Sequence, residues 1–158
     1  AIPSIILSIS ICAALGSGIV NTMIAVGISS IPTYARVFRS AVISEKSKEY
    51  IEASKAVGAG NARIILRHIL PNSLAPVIVQ ASLGVAQAIT TAASLSFIGL
   101  GIQPPNPEWG ALLSGGRQYI RDYPHMVVYP GIAIMLTVLA LNLIGDGLRD
   151  ALDPRLKR

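Results

Sequence analysis

Three long stretches without Asp, Glu, Lys or Arg constrain this chain more than any motif does. The first runs from Ala1 to Ala35 and ends at Arg36. The second lies between Arg67 and Glu108 and carries only His68, and the third lies between Asp122 and Asp146 and carries only His125. Crossing a bilayer takes roughly 20 apolar residues as helix, so each stretch can hold at least one crossing. The chain is 52% hydrophobic and 13% charged, with a mean hydropathy of +0.59, whereas a soluble domain is about one quarter charged. A soluble core is not built this way, and the pattern predicts an integral membrane protein.

The expected fold is all-α, a polytopic transmembrane helical bundle. Residues 1–15 read as a partial crossing, too short to span alone and broken by Gly16-Ser17-Gly18. Residues 19–42 read as a crossing kinked at Pro32, with Arg36 and Arg39 marking its exit from lipid. A charged insert follows over 44–70, then a crossing over 73–98. Gln103 to Gly110 holds three prolines and cannot be helix interior. It opens a loop over 99–129 with one short helix around Leu112–Ile120. A last crossing over 130–148 leads into a charged tail, 149–158. The chain opens inside an apolar segment, with no signal-peptide pattern, and is read as the C-terminal part of a longer subunit. Cys12, the one cysteine, excludes an internal disulfide and reads as a small buried hydrophobe.

Charge supplies an independent test of topology. The insert and its flanks carry Arg36, Arg39, Lys46, Lys48, Lys55, Arg63 and Arg67, and the tail carries Arg149, Arg155, Lys157 and Arg158. Two crossings separate insert from tail, so both face one side. Eleven of the thirteen basic residues then lie on that side, which the positive-inside rule makes cytoplasmic. The net charge of +5 reflects topology, and no basic-aromatic interleaving argues for nucleic acid.

Helix signals are dense in the insert. Ser47 reads as an N-cap, with Glu49 and Glu52 in the first turns. Lys48–Glu52 and Glu52–Lys55 have the spacing of helix-surface ion pairs. Gly58 falls where a C-terminal glycine belongs, and Gly60-Asn61 provides a turn and a new N-cap. The expectation is a helix from about Lys48 to Val57, a second from Asn61 to His68, and a bend at Pro71. One face of the first helix carries Tyr50, Ala53, Ala56 and Val57, with Ile51 beside it. Small residues at that spacing admit a close partner, and a helix lying on lipid headgroups fits the same pattern.

The stretch "EASKAVGAGNARIILRHILP" resembles the EAA loop of ABC importer membrane subunits. That pattern is Glu-Ala-Ala, three residues, Gly, nine residues, then Ile-x-Leu-Pro. Glu52, Ala53, Gly58, Leu70 and Pro71 match it; Ser54 replaces the third alanine, and His68 takes the Ile position with Ile69 beside it. "RHILPN", "LSFIGLGIQPPNPEWG" and "LTVLALNLIGDGLRDALDPRLK" resemble the dipeptide/oligopeptide/nickel branch, and the similarity covers the whole chain. The resemblance implies a permease subunit whose EAA helix docks in a groove of a cytosolic ATPase subunit. Its coupling residues would be Tyr50, Glu52, Ala53, Ser54, Ala56, Val57, Gly58, Leu70 and Pro71. Glu52 would pair with a basic residue there, and ATP-driven closure would pass through Pro71 into the crossings. Partners so implied are cytosolic ATP-binding subunits, a related but distinct second permease and an external substrate-binding protein, with lipid around them.

Other chemistry is sparse. No Gly-x-x-x-x-Gly-Lys-Ser/Thr loop exists, and "GSGIVNT" has no lysine, so nucleotide chemistry belongs to a partner. No catalytic, cofactor or metal constellation stands out, and His68 and His125 are expected on opposite membrane faces. Asn142 in the last crossing, with Gln80, Gln87, Thr90 and Thr91 in the one before, either joins helices or lines a pathway. Glu108, Trp109, Tyr119 and Tyr123 in the outer loop read as interfacial belt or binding-protein docking surface. Asp146, Arg149 and Asp150 read as a local ion-pair arrangement at a helix end. The rival reading is a structural or channel-forming membrane protein whose insert binds lipid; a membrane enzyme lacks its catalytic groups.

Overall fold

A computed structural model describes residues 3–152, and every regular element in it is a helix. In order these are α1 (Ser4–Leu15), α2 (Ile19–Lys46), α3 (Glu49–Ala56), α4 (Asn61–Ile64), a π-helical turn (Ile65–Ile69), α5 (Leu70–Phe97), α6 (Trp109–Gly116), a 3-10 turn (Arg117–Tyr119) and α7 (His125–Leu152). The tail expectation for Arg155, Lys157 and Arg158 lies outside the described residues.

Two stretches are long and apolar enough to cross a membrane, Asn61–Phe97 and His125–Leu152, while Ser4–Leu15 is shorter. Although α2 is 28 residues long, it does not join them. Asn21, Thr22, Ser29, Ser30, Arg36 and Arg39 dilute its apolar character. None of the most apolar window of α7 is buried, so that surface needs lipid or another chain to cover it.

The chain divides into two compact units. One comprises the residues up to Ile31 with Gly84–Leu143; the other comprises Pro32–Leu83 and the residues from Ile144 on. In the first, Cys12, Ala25 and Leu95 form a small core, with Ile9, Ile11, Val26 and Leu100 against it. A polar contact joins α1 to α2 beside it: the buried Ser8 hydroxyl donates to Ser29 Oγ at 2.7 Å, and Ser29 donates to the Val26 carbonyl at 2.9 Å. Gly16 and Gly18 break the chain between these helices at φ 87° and 139°. The Asn21 amide donates to the Leu15 and Gly16 carbonyls, which α1 leaves open.

The first unit also folds the "LSFIGLGIQPPNPEWG" stretch. After Phe97, Gly99 adopts φ 86° and donates to the Ser96 carbonyl, while the Leu100 amide reaches the Leu95 carbonyl. This is the Schellman closure of a helix C-terminus. Ser96 Oγ accepts from the Ile102 amide, and Gln103 donates to the Ser96 carbonyl. Gly101 in turn accepts from the Gly18 amide at 3.1 Å, which ties this loop to the α1–α2 break. The motif is thus a folded clasp.

Several expected boundaries move: α2 runs on to Lys46 rather than ending at 42, and the short loop helix is Trp109–Gly116 rather than Leu112–Ile120. The last helix begins at His125 rather than Pro130, because the Pro124 carbonyl accepts from both Val127 and Val128 and starts the turn five residues earlier. Pro130 therefore lies inside α7. No break occurs at Pro71 either, and the helical stretch from Asn61 to Phe97 is continuous.

Candidate functional site

The second unit holds the charged insert. Only Ser47 and Lys48 separate α2 from α3. Ser47 does not cap α3: its hydroxyl turns back to the Ser44 carbonyl at 3.0 Å, closing α2 instead. Lys48 occupies the N-cap position with extended backbone and no side-chain cap. Glu49 and Glu52 do lie in the first turn, where the helix dipole favours them.

Lys48 pairs with Glu45, not with Glu52. The reason is burial. Glu45 is 8% exposed, and a buried carboxylate without a partner is far costlier than an unpaired surface one. Its other oxygen accepts the Tyr50 hydroxyl at 2.6 Å. Burial alone would raise the Glu45 carboxyl, but hydrogen bonds from Lys48 and Tyr50, with the Lys48 charge, leave it below its ordinary value. Tyr50 is raised, chiefly by donating to Glu45, so it stays a hydroxyl donor. Asn72, in the first turn of α5, approaches the same hydroxyl at 3.4 Å and donates to the His68 carbonyl at 2.7 Å. The His68 ring meets the Tyr50 ring edge-on, 6.1 Å between centroids. Neither Glu45 nor Asn72 was singled out from sequence. The available signal was Glu45's place in the last turn of a helix, where the dipole disfavours an anion.

Below this polar cluster, Ile51 is fully buried with Ile64 and Ile69, and Val42 and Ala59 pack against them. The helix ends as its glycine predicts. Gly58, at φ 80°, donates to the Lys55 carbonyl and Ala59 to the Ser54 carbonyl, a second Schellman closure. Ala59 then packs on the Ile51 cluster.

Inner and outer faces follow from this anchoring. Glu52, Ala53, Ala56, Val57 and Gly58 are all exposed, Val57 at 84%. Ser54 is half-buried, its hydroxyl donating to the Tyr50 carbonyl. The expected face is therefore split: Tyr50 turns its hydroxyl inward, and the small residues look out.

Pro71 follows the π-turn. The Leu70 amide reaches back five residues to the Ile65 carbonyl, and this wider turn lets a proline, which lacks an N–H and crowds the preceding turn, enter without ending the helix. Leu70 is half-buried and Pro71 exposed. An apolar groove of about 470 Å³ runs beside them, lined among others by Phe38, Val42, Ile51, Ile64 and Ile69, with Lys46 and Lys55 at it.

The remaining sites are more dispersed. Gln80 and Asn142 are half-buried. Gln87 donates to Thr91 at 3.5 Å, while the Thr90 and Thr91 hydroxyls bond the carbonyls of Ala86 and Gln87 one turn back. In the outer loop the Glu108 carboxylate caps α6 by accepting from the Ala111 amide at 2.8 Å. Trp109, Tyr119 and Tyr123 are exposed, and Tyr123 meets His125 edge-on. Among the described residues no three His, Cys, Asp or Glu cluster to hold a metal.

Over residues 1–158 the chain matches the binding-protein-dependent transport system inner membrane component family. It belongs to that family. It is 56% identical over 157 residues to a dipeptide transport system permease protein, DppC, of Alkalihalophilus pseudofirmus, covering 99% of this chain and 52% of the relative. A di/tripeptide transport system permease protein of Pseudomonas aeruginosa is 52% identical, and a glutathione transport system permease protein, GsiD, of Escherichia coli is 50% identical, each over the same shares. The chain thus spans about half the length of the curated relatives it matches. Family membership makes it part of an inner membrane component of a binding-protein-dependent transport system, and accords with an all-helical fold with membrane-spanning candidates.

Proposed function

We propose that this chain forms part of the permease of an ATP-driven importer, with α3 as the helix that receives motion from a cytosolic ATPase subunit. The observation that carries this reading is the two-faced anchoring of α3. Its inner side is fixed by Ile51, while Glu52, Ala53, Ala56, Val57 and Gly58 stand free in solvent. Small exposed residues let a partner's backbone approach closely, and an exposed carboxylate at a helix N-terminal turn offers a charge to a basic side chain across that contact. On this reading residues 19–42, 73–98 and 130–148, carried by α2, α5 and α7, cross the membrane, the insert over 44–70 and the C-terminus are cytoplasmic, and the loop before α7 is external.

Small peptides are the proposed cargo. The relatives named above carry dipeptide, di/tripeptide and glutathione transport in their names, and glutathione is itself a tripeptide. Gln80, Gln87, Thr90, Thr91 and Asn142 are the proposed pathway residues, since amides and hydroxyls can exchange hydrogen bonds with a passing peptide backbone. Trp109, Tyr119 and Tyr123 are the proposed contacts for an external binding protein, with Glu108 holding α6 in place. A second, distinct permease and two ATPase subunits complete the assembly.

The test is co-purification of the full-length permease with candidate ATPase subunits, comparing wild type with an Ala53→Trp, Ala56→Trp variant. Both positions are exposed, so the variant should insert normally. Stoichiometric ATPase with wild type and loss of at least tenfold with the variant is the expected result. Equal recovery from both, or none from wild type, would leave the insert as a lipid-surface helix.

A further inference from the structure

Ile51 gives α3 a firm seat, but apolar burial is non-directional and by itself lets a short helix swivel. A two-residue connection such as Ser47-Lys48 is also a natural hinge, because a few linking residues can absorb large φ/ψ changes. Directional contacts are needed to stop that rotation, and the structure supplies one set. Glu45 belongs to the last turn of α2, Tyr50 to the first turn of α3 and Asn72 to the first turn of α5. The Tyr50 hydroxyl lies 2.6 Å from Glu45 Oε2 and 3.4 Å from the Asn72 amide. Lys48, in the connection itself, is ion-paired to the other Glu45 oxygen. A single buried carboxylate thereby gathers both flanking helices and the connection around one phenol.

We propose that Glu45, acting through Tyr50, is a positioning residue that fixes the angle of α3 to α2, so that displacement at the exposed face is passed on rather than absorbed at the junction. The inference rests on the coupling reading above; it assigns a function to Glu45 and gives Tyr50, already expected among the coupling residues, a role inside the junction. A hydrophobic side chain would have been cheaper to bury at position 45 than a charge with its desolvation cost. What the carboxylate adds is direction.

The experiment measures the angle directly. Spin labels at Ser40→Cys on α2 and Lys55→Cys on α3, both exposed, are placed in a full-length permease assembled with its sister permease and ATPases in nanodiscs, with Cys12→Ala and every other cysteine of the assembly replaced. Pulsed electron–electron distances are recorded without nucleotide and after trapping with ADP and vanadate. Wild type should give one narrow distance in both states. Tyr50→Phe and Glu45→Leu should each broaden it at least twofold, the double variant no more than either, and Glu45→Gln, which keeps an acceptor for the phenol, should stay narrow. Because leucine is close to glutamate in volume, Glu45→Leu keeps the site filled; if it fails to assemble, Tyr50→Phe decides alone. Unchanged width in Tyr50→Phe overturns the positioning role of Glu45. If wild type recovers no ATPase, the coupling reading falls and that role with it, whereas a bound ATPase with indifferent variants sinks only the positioning role.

Discussion

Gly110, the second residue of α6, lies directly against the backbone of Ala93 in α5, so closely that a Cβ there would overlap the Ala93 carbonyl. The neighbour is backbone, which cannot swing aside as a side chain can. Gly110→Ala should therefore destabilise the loop by overpacking, by about 1–3 kcal/mol. Trp109 is the only tryptophan of these 158 residues and adjoins the contact, so its fluorescence, measured with any tryptophan outside them replaced, reports the change. A lowered melting midpoint in detergent with red-shifted emission is expected; wild-type melting would contradict the close contact.

Gly58 is a different kind of glycine. Nothing lies near its missing Cβ, and its requirement is φ 80°. Gly58→Ala should cost only the left-handed penalty, about 1–2 kcal/mol, and Gly58→Asn less, since Asn visits that region more readily. Backbone hydrogen exchange over Glu49–Ala56 is the measurement, with protection ranked wild type, Asn, Ala. Equal loss in both variants would mean that space, not conformation, governs the position.

The Ser8–Ser29 contact joins two helices through one hydrogen bond, in surroundings with little apolar driving force between helices. Interhelical polar pairs in membranes are worth about 0.6 kcal/mol on average by double-mutant cycle. Ser8→Ala, Ser29→Ala and the double variant, unfolded reversibly in mixed micelles, should return a coupling energy of that order. A value of zero would show that each hydroxyl is equally content with its own helix's carbonyls.

Glu45 makes a pH prediction with a definite sign. Its folded carboxyl titrates below the ordinary 4.5. A group depressed on folding contributes stability in full above its unfolded value, and that contribution is lost as pH falls through the folded value. Protection of the α3 amides should thus be flat from about pH 8 to 5 and decline below about pH 4, near and under the ordinary Glu range. Glu45→Gln should remove the acid decline. Loss of protection between pH 7 and 5 in wild type would point to another group.

What could be read in advance depended on whether a residue's behaviour was local. Gly58 was legible because a glycine after a helical run with Lys55 near its end has few other uses. The uncharged runs were legible because hydrophobicity sums along the chain. Ser47 was not, since two carbonyls or amides compete for one hydroxyl and the choice depends on how α2 ends. Pro71 was expected to separate two helices because proline's penalty is stated for an α-helical turn, and the π-turn before it relaxes that penalty so that the helix runs on. Glu45 escaped notice because its burial, which makes Lys48 and Tyr50 its partners, is a tertiary property that the neighbouring residues do not announce.

The uncovered side of α7 also decides how such a chain can be handled. Leu136, Leu139, Leu143 and Ile144 are all more than half exposed, and in plain buffer side chains like these find one another. Detergent or a lipid disc is therefore part of the folding solvent. Concentration, micelle size and acyl-chain length belong among the variables of every measurement above.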